Sequence, residues 1–427
     1  MSRKKNRQIY FLMITFERFK LDNGLTVLFH KDVTTPLAVV NTLYDVGARD
    51  ESEDKTGFAH LFEHLMFGGS VNIPDFDAPL QMAGGESNAF TSNDITNYYN
   101  VLPAKNLETA LWLESDRMLS LAFTKKSLDV QRNVVIEEFK QRYLNQPYGD
   151  VWLKLRPLAY QVHPYKWATI GKEIQHIEDA TMEDVKSFFH KHYNPANAIL
   201  CIAGNFELDY IKSVVNKWYG AIPEGIKPAR ILPAEPEQEE FREMTIERNV
   251  PTDAFYYAFK MPERRHEGYY MADILSDALG RDKSSRLFVS LKKERKLTSE
   301  IGAYITGSMD NGLLVISGKL NDGITFEMLD KALWEELDKL KSHPITDKEL
   351  ERLMIKIHTS REFQEQGLLN RAMNLCTFEL LGDANGINEE HDIYKAIRPS
   401  HIQETAINLL KQSNCSLLKV KSIQNAE

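Results

Sequence analysis

The pentapeptide His60-Leu61-Phe62-Glu63-His64 is the stretch that most restricts what this chain can be. Residues four apart on a helix lie on one face, so His60 and His64 can bind the same metal ion. Glu63 projects close to that face, where it can accept a proton from a water molecule. The order H-x-x-E-H reverses the commoner H-E-x-x-H arrangement of zinc-binding helices. The pentapeptide therefore predicts a metal-binding helix that carries a general base.

The flanking sequence predicts a helix around the pentapeptide. Thr56 is a candidate N-cap, and Glu51, Glu53 and Asp54 lie near the positive end of the helix dipole. Gly68-Gly69 is expected to end the helix. Five apolar residues recur at helical spacing: Phe58, Leu61, Phe62, Leu65 and Met66. Because three polar groups on such a helix are costly to bury without a ligand, metal binding is favoured over core histidines.

A third ligand is expected to be an acid on another helix, and residues 126–139 are the best candidate segment. Three valines define the inward sector of this helix on a helical wheel: Val130, Val134 and Val135. Glu138 falls inside that sector and Glu137 lies at its margin, so both acids remain candidates. A carboxylate that points into a core has a raised pKa unless a cation neutralises it. A zinc ion would supply that charge.

Four segments of the first half together resemble a known family. They are residues 19–27, an opening strand; 57–69, the helix described above; 84–98, a strand at a sheet edge; and 132–138. They resemble the inverzincins of the pitrilysin, insulin-degrading enzyme and mitochondrial processing peptidase family (M16), and the likeness runs from about residue 16 to about 420. By this resemblance His60, His64 and Glu138 bind one zinc ion, Glu63 activates a water molecule, and the chain hydrolyses peptide bonds.

The resemblance also implies an edge strand that binds the substrate. Its residues are Gly84, Gly85, Asn88, Ala89, Phe90 and Thr91. The two glycines would let backbone approach closely, and the following four residues would hold an extended peptide through main-chain hydrogen bonds. The alternative for this segment is ordinary sheet structure. Gln131 stands where the family often has an acid close to the metal ligands, a position that would tune metal affinity.

The second half departs from the family at two positions. Active members carry an arginine and a tyrosine that help to hold the substrate and its developing oxyanion, and the matching residues here are Lys292 and Ser299. Lysine keeps the charge without the bidentate fork, and serine is shorter than tyrosine. Some family members divide these parts between a zinc-bearing chain and a partner chain. The sequence therefore predicts the zinc-bearing subunit of a dimer, with a heterodimer favoured over a homodimer.

The predicted fold is α+β, with two homologous LuxS/MPP-like domains, each a mainly antiparallel sheet packed with helices. The zinc-binding domain is expected at 14–222, a proline-rich linker at 223–243 and the second domain, which lacks the motif, at 244–427. Each half ends with an amphipathic helix that leads into an apolar strand, which indicates a duplication. Residues 1–13 are expected to be a disordered or non-native extension, and Met1 and Met13 are both candidate starts.

Composition excludes several classes of protein. The chain has 427 residues, 43% hydrophobic and 26% charged, which is typical of a globular protein of more than one domain. A net charge of −9 without a basic, aromatic-rich patch argues against nucleic-acid binding. The apolar run at 9–16 is too short to span a membrane and lacks a cleavage site. Cys201, Cys376 and Cys415 are scattered and odd in number, so no disulfide framework is predicted. A cytoplasmic location is expected, with a periplasmic or exported one as the alternative.

Three functional hypotheses follow from these patterns. The leading one is a zinc endopeptidase that acts on peptides or unfolded segments. The second is a non-catalytic or partner-dependent scaffold or binding subunit with the same fold, against which the complete set of metal-binding residues argues. The third is a metal hydrolase with a non-peptide substrate, which the predicted edge strand disfavours.

Overall fold

The structure is a computed structural model and describes residues 13–423. The strands of the first half are β1 (Glu17–Lys20), β2 (Thr26–Lys31), β3 (Leu37–Tyr44), β4 (Glu86–Thr91), β5 (Thr96–Pro103) and β6 (Ala198–Gly204). Its helices are α1 (Phe58–Leu65), α2 (Asp77–Met82), α3 (Leu107–Leu119), α4 (Lys125–Phe139), α5 (Val151–Ala159), α6 (Ile174–Glu178), α7 (Met182–His192) and α8 (Leu208–Tyr219).

The second half repeats this mixture of strands and helices. Its strands are β7 (Arg242–Arg248), β8 (Ala254–Lys260), β9 (Thr298–Ile305), β10 (Leu313–Leu320) and β11 (Cys415–Ser422). Its helices are α9 (Gly268–Gly280), α10 (Phe326–Ser342), α11 (Asp347–Glu365), α12 (Leu368–Leu381), α13 (Gly386–Ala396) and α14 (Pro399–Leu409).

The two sheets share one topology over five strands, and β1 is an additional strand at one edge of the first sheet. The first sheet has the order β1-β2-β6-β3-β5-β4 and the second the order β7-β11-β8-β10-β9. Each sheet contains one parallel pair of strands, β2 with β6 in the first and β7 with β11 in the second. All other pairings are antiparallel. The predicted α+β class with two homologous, mainly antiparallel domains is therefore confirmed. The shared topology also places β4 and β9 at equivalent edges.

Both faces of each sheet are covered, because the central strands are apolar on both sides. All seven residues of β6 are buried, as its continuous apolar sequence predicts. One face of the first sheet packs against helices of its own half. The other face packs against α12, which comes from the second half. In the same way α5 of the first half packs on the second sheet. Each half therefore contributes a helix that packs on the sheet of the other half, and the two halves bury apolar surface against each other.

The connection between the halves runs along the surface as an extended segment. From Ile222 to Glu240 the chain forms no helix or strand, and β7 begins at Arg242, inside the segment expected as a linker. The expected N-terminal extension lies outside the described residues except for Met13, whose side chain is exposed. Ile14 is buried between the halves, where its backbone N–H donates a hydrogen bond to Asn388. Within residues 13–423 no helix has the length and apolar character needed to cross a bilayer.

Candidate metal centre

The helix that carries the pentapeptide begins one residue later than expected. Its N-cap is Gly57, which has a φ of +87°, and a Cβ there would lie 2.8 Å from the carbonyl oxygen of Ile170. The buried carboxylate of Glu51 accepts hydrogen bonds from the backbone N–H groups of Gly57 and Ala59. The expectation that Thr56 is the N-cap is therefore wrong, because the Thr56 hydroxyl accepts a hydrogen bond from the Lys172 N–H instead.

Helix α1 divides its residues between the core and a partly open face. The five apolar residues predicted for this face are buried: Phe58, Leu61, Phe62, Leu65 and Met66, and Ala59 is buried with them. The helix ends at Leu65, ahead of the Gly68-Gly69 pair expected to stop it. On the other face the side chains of His60 and His64 keep 12% and 24% of their surface exposed. Both side chains are therefore only partly buried, with the Nε2 atoms on the side of Glu138.

The carboxylate of Glu138, near the end of α4, lies beside both histidines. Its Oε2 lies 3.6 Å from the Nε2 of His60 and 3.4 Å from the Nε2 of His64. Glu137 points away, is largely exposed and forms an ion pair with Lys140. Of the two acids that the helical wheel left open, the structure places Glu138 beside the histidines.

The inward sector expected for α4 is wrong. Val130 and Val134 are exposed, and only Val135 of the three valines is buried. The buried sector of α4 consists of Leu128, Val135, Ile136 and Phe139. Glu138 lies at the edge of this sector because it is three residues from Val135 along the helix. That position explains why its carboxylate is half-buried rather than enclosed.

The donor set fits a tetrahedral metal ion. Zinc bonds of roughly 2.0–2.1 Å to nitrogen and oxygen place tetrahedral ligand atoms roughly 3.3–3.4 Å apart. The two distances from Glu138 to the histidines are close to this spacing, and one ligand atom from each of the three side chains lies within 4.8 Å of the others. In the part of the chain that the structure describes, no other His, Cys, Asp and Glu side chains form such a group. Two histidines and one carboxylate leave a fourth position for water or substrate.

Local electrostatics keep these groups in the forms that bind metal. Hydrogen bonding to His64 lowers the pKa of Glu138, and the positive charge of nearby Arg142 acts in the same direction. Arg142 forms an ion pair of 2.9 Å with the other carboxylate oxygen. Burial lowers the pKa of His60 to about 4, so its ring is neutral at physiological pH. The site therefore presents an ionised carboxylate and a neutral imidazole, the forms that bind zinc.

Glu63 is linked directly to the edge strand β4. The Thr91 hydroxyl donates a 2.6 Å hydrogen bond to the Oε2 of Glu63. Burial raises the pKa of Glu63, and the bond from Thr91 opposes that shift. The sequence assigned Thr91 only to substrate binding. The structure adds that Thr91 orients the carboxylate beside the two histidines.

Strand β4 lies at the free edge of the first sheet. Its residues alternate between exposed and half-buried, with Phe90 exposed and Ala89 and Thr91 half-buried. The N–H of Ala89 donates to the side chain of its neighbour Asn88 and not to another strand. The edge that the sequence assigned to substrate is thus unpaired among the described residues.

The two glycines before β4 have local reasons to be glycine. Gly84 has a φ of +71°, the left-handed region that favours glycine. A Cβ on Gly85 would lie 2.6 Å from the side chain of Leu80 and 3.1 Å from that of Leu102. The turn from α2 into β4 and the packing beneath it therefore account for both residues.

The sequence did not reveal one neighbour of Glu138. Arg142, which contacts Glu138, was missed, although its spacing of four residues from Glu138 is a recognisable ion-pair signal.

Gln131 is half-buried two helical turns before Glu138 on the same side of α4. The buried Nδ1 of His60 has no hydrogen-bond partner among the described residues. Ligating histidines usually donate from this second nitrogen, a support that His60 lacks among the described residues.

Lys292 and Ser299 make local contacts within the second half. The Nζ of Lys292 lies 5.3 Å from the centre of the Phe288 ring. Ser299 is exposed near the start of β9, and its hydroxyl donates to the Lys319 carbonyl at 3.4 Å. Serine at position 299 puts a short hydroxyl side chain where active family members carry a tyrosine.

Comparison with known proteins identifies the family. The family model described as Insulinase (Peptidase family M16) matches residues 26–173, and the model described as Peptidase M16 inactive domain matches residues 179–357. A zinc protease from Helicobacter pylori, PqqE, is 32% identical over 345 residues, which cover 79% of this chain and 78% of that protein. The chain belongs to peptidase family M16. The resemblance recognised from the sequence is confirmed.

Other M16 relatives extend over nearly the whole chain. YmxG of Bacillus subtilis, named an uncharacterized zinc protease, is 26% identical over 391 residues, covering 88% of this chain and 93% of that protein. The crystal structure of a protease from Helicobacter pylori matches with a TM-score of 0.91 and 28% identity, covering 96% of this chain and all of that one. This M16 chain therefore shares its fold with that protease over nearly all of its residues.

Proposed function

We propose that this M16 chain is a zinc-dependent endopeptidase that hydrolyses peptides or unfolded polypeptide segments. The observation that carries the proposal is the convergence of His60, His64 and Glu138 beside Glu63, at a free sheet edge. Relatives named zinc proteases support the same chemistry. The described residues contain one group of three metal-binding side chains, which suits one zinc ion per chain.

The chain's own residues supply binding and proton transfer. Bound zinc would lower the pKa of a water molecule toward neutrality and polarise the peptide carbonyl. Glu63 takes a proton from the attacking water on its carboxylate and then gives that proton to the leaving amine nitrogen. Its raised pKa suits a group that both accepts and returns a proton. Thr91 holds this carboxylate toward the cleavage site.

The free edge of β4 suits an extended peptide. Main-chain N–H and C=O groups pair with almost any sequence, so such an edge binds peptides broadly. A bound strand would replace the bond from the Ala89 N–H to Asn88. Phe90 and Asn88 lie on one face of the strand, while Ala89 and Thr91 lie on the face toward α1. Alternate side chains of the substrate would therefore meet different surroundings.

We also propose that the active form is a dimer, with a heterodimer favoured over a homodimer. Lys292 and Ser299 replace the arginine and tyrosine of active family members, and Ser299 lies on the edge strand equivalent to β4. A second M16 chain would supply the missing side chains. The second candidate, a non-catalytic or partner-dependent scaffold subunit, is favoured by the same departures and by the match of the second half to an inactive-domain model.

Separate variants test metal binding and chemistry. E63Q is expected to keep zinc, measured by metal analysis, and to lose at least roughly 100-fold in kcat because the general base is removed. E138Q is expected to lose zinc, whereas the adjacent exposed variant E137Q keeps it. Cleavage by E63Q at the wild-type rate would contradict the assigned base, and equal zinc content in E138Q and E137Q would contradict the ligand.

The dimer proposal is tested with a peptide library. The purified chain is assayed alone and with a candidate M16 partner that has the arginine and tyrosine. Cleavage by the mixture but not by either chain supports the heterodimer. Full activity of the purified chain as a homodimer would contradict it, and zinc binding without cleavage under either condition would favour the scaffold role.

A further inference from the structure

Two cysteines that are far apart in sequence meet at the junction of the halves. Cys201 lies on β6 in the centre of the first sheet, and Cys376 lies on α12 of the second half. Both side chains are completely buried in one apolar cluster. Asn41 is the cross-strand partner of Cys201, and its Nδ2 donates a 3.3 Å hydrogen bond to the Sγ of Cys376. The sequence, which showed only scattered cysteines, did not predict this contact.

The Sγ of Cys376 also lies 3.8 Å from the carbonyl oxygen of Ile199, two residues before Cys201 on β6. A hydrogen bond with Cys376, together with burial, raises the pKa of Cys201 well above its usual range. The thiolate is the reactive form, so the folded protein protects this pair from exchange. Cys415 is buried separately in the core of the second half. Cys415 therefore lies in a different apolar cluster from Cys201 and Cys376.

We propose that Cys201 and Cys376 are an oxidisable dithiol that forms a disulfide between the two halves. The oxidant is an exchangeable disulfide such as oxidised glutathione. The thiolate of one cysteine attacks a sulfur of that disulfide, breaks its S–S bond and releases one glutathione thiolate. The other cysteine then attacks the mixed disulfide and releases the second thiolate. The two cysteine protons pass through solvent to the two released thiolates, so the cysteines are oxidised to a disulfide and the glutathione disulfide is reduced to two thiols.

The position of the pair determines when the bond forms and what it does. Because α12 covers Cys201, exchange requires α12 to leave the sheet or to be not yet docked. Oxidation is therefore faster during refolding than in the folded protein. Once formed, the bond joins α12 to β6, encloses a long segment of chain and restricts separation of the halves. This inference does not depend on zinc or on proteolysis.

The experiment uses the full chain with C415S, so that only the two thiols remain, and C201S/C415S as the matched control. Each protein is unfolded, refolded in a mixture of reduced and oxidised glutathione, and examined by intact mass and peptide mapping. C415S is expected to lose two hydrogen atoms, to yield a linked Cys201–Cys376 peptide pair, and to melt at a higher temperature than after reduction. The same treatment of folded C415S gives the bond more slowly.

Three results would overturn the proposal. They are two free thiols in refolded C415S, only mixed disulfides with glutathione, or a reduced form that melts at the same temperature as the oxidised one. If C415S does not refold, the wild-type chain is mapped in the same way. There, a Cys201–Cys376 bond with free Cys415 supports the inference, and any bond that includes Cys415 contradicts it.

Discussion

At the scale of single residues, Thr91 links the edge strand to Glu63, the proposed general base. Its hydroxyl lies 2.6 Å from Glu63, and its backbone belongs to the strand proposed to bind the peptide. A peptide that pairs with β4 therefore acts on the same segment that orients the base. Binding and proton transfer are connected through one side chain.

Replacing Thr91 tests this connection. T91V keeps the shape of the side chain and removes the donor, so kcat is expected to fall roughly 10- to 100-fold, since a hydrogen bond to a charged group contributes roughly 1.5–3 kcal/mol. T91S keeps the hydroxyl and should keep most of the activity. The measurements are kcat, KM and zinc content of the active assembly. A wild-type kcat in T91V, or an equal loss in T91S, would argue against the positioning role.

At the scale of elements, α1 depends on a cap from outside the helix. Glu51 is buried and accepts two backbone hydrogen bonds from the first turn of α1, while burial raises its pKa to about 8. Glu53, two residues later, is exposed and pairs with Lys166. The two acids are close in sequence but have different roles, because only one side chain faces the end of the helix.

The variants E51A and E53A measure that difference. E51A leaves two buried N–H groups without partners, so the free energy of unfolding is expected to fall by about 2 kcal/mol or more. It should also release zinc more readily, because His60 and His64 lie on the helix that loosens. E53A removes only an exposed ion pair and is expected to change stability by less than about 1 kcal/mol. Equal effects in denaturant unfolding would disprove the capping role.

At the scale of the whole molecule, Glu235 holds the connecting segment to both halves. Its carboxylate accepts hydrogen bonds from the backbone N–H groups of residues 161–163 in the first half. It also pairs with Lys260 of the second sheet at 2.8 Å. The side chain is 3% exposed. These bonds lower the pKa of Glu235 to about 2, although burial acts in the opposite direction.

This lowered pKa predicts how stability depends on pH. The folded carboxyl has a pKa below its ordinary value of 4.5, so its contribution is present above pH 4.5 and is lost as the pH falls toward 2. Between pH 5 and 3 the wild type is expected to lose roughly 2 kcal/mol more than E235Q. E237Q, an exposed neighbour, serves as the control. Parallel stability curves for the wild type and E235Q in urea unfolding would contradict the assignment.

The exchange of helices predicts that the halves do not fold separately. A fragment of residues 14–222 lacks α12 and exposes an apolar face that includes Leu28, Val39 and Leu43. The fragment is expected to bind a hydrophobic dye and to unfold without a cooperative transition. Co-expression with residues 223–427 should restore the folded state. A fragment that is monomeric and unfolds cooperatively would show that α12 is dispensable.

The sequence by itself determined the features that depend on local patterns. The spacing of His60, Glu63 and His64 identified one helix face, the repeated helix-to-strand pattern indicated two homologous halves, and the motif at residues 132–138 indicated Glu138. These follow from helical periodicity and from short segments whose side chains have fixed relative directions.

Only the tertiary structure decided the features that depend on distant segments. It brought Glu138 to the histidines, placed the Thr91 hydroxyl on Glu63, gave the cap of α1 to Glu51, and placed Cys201 and Cys376 in one buried cluster. The helical wheel chose the wrong sector of α4 because hydrophobicity alone does not show which neighbours cover a helix. Each of these contacts joins segments whose relative positions are fixed by packing of the two sheets and not by the local sequence.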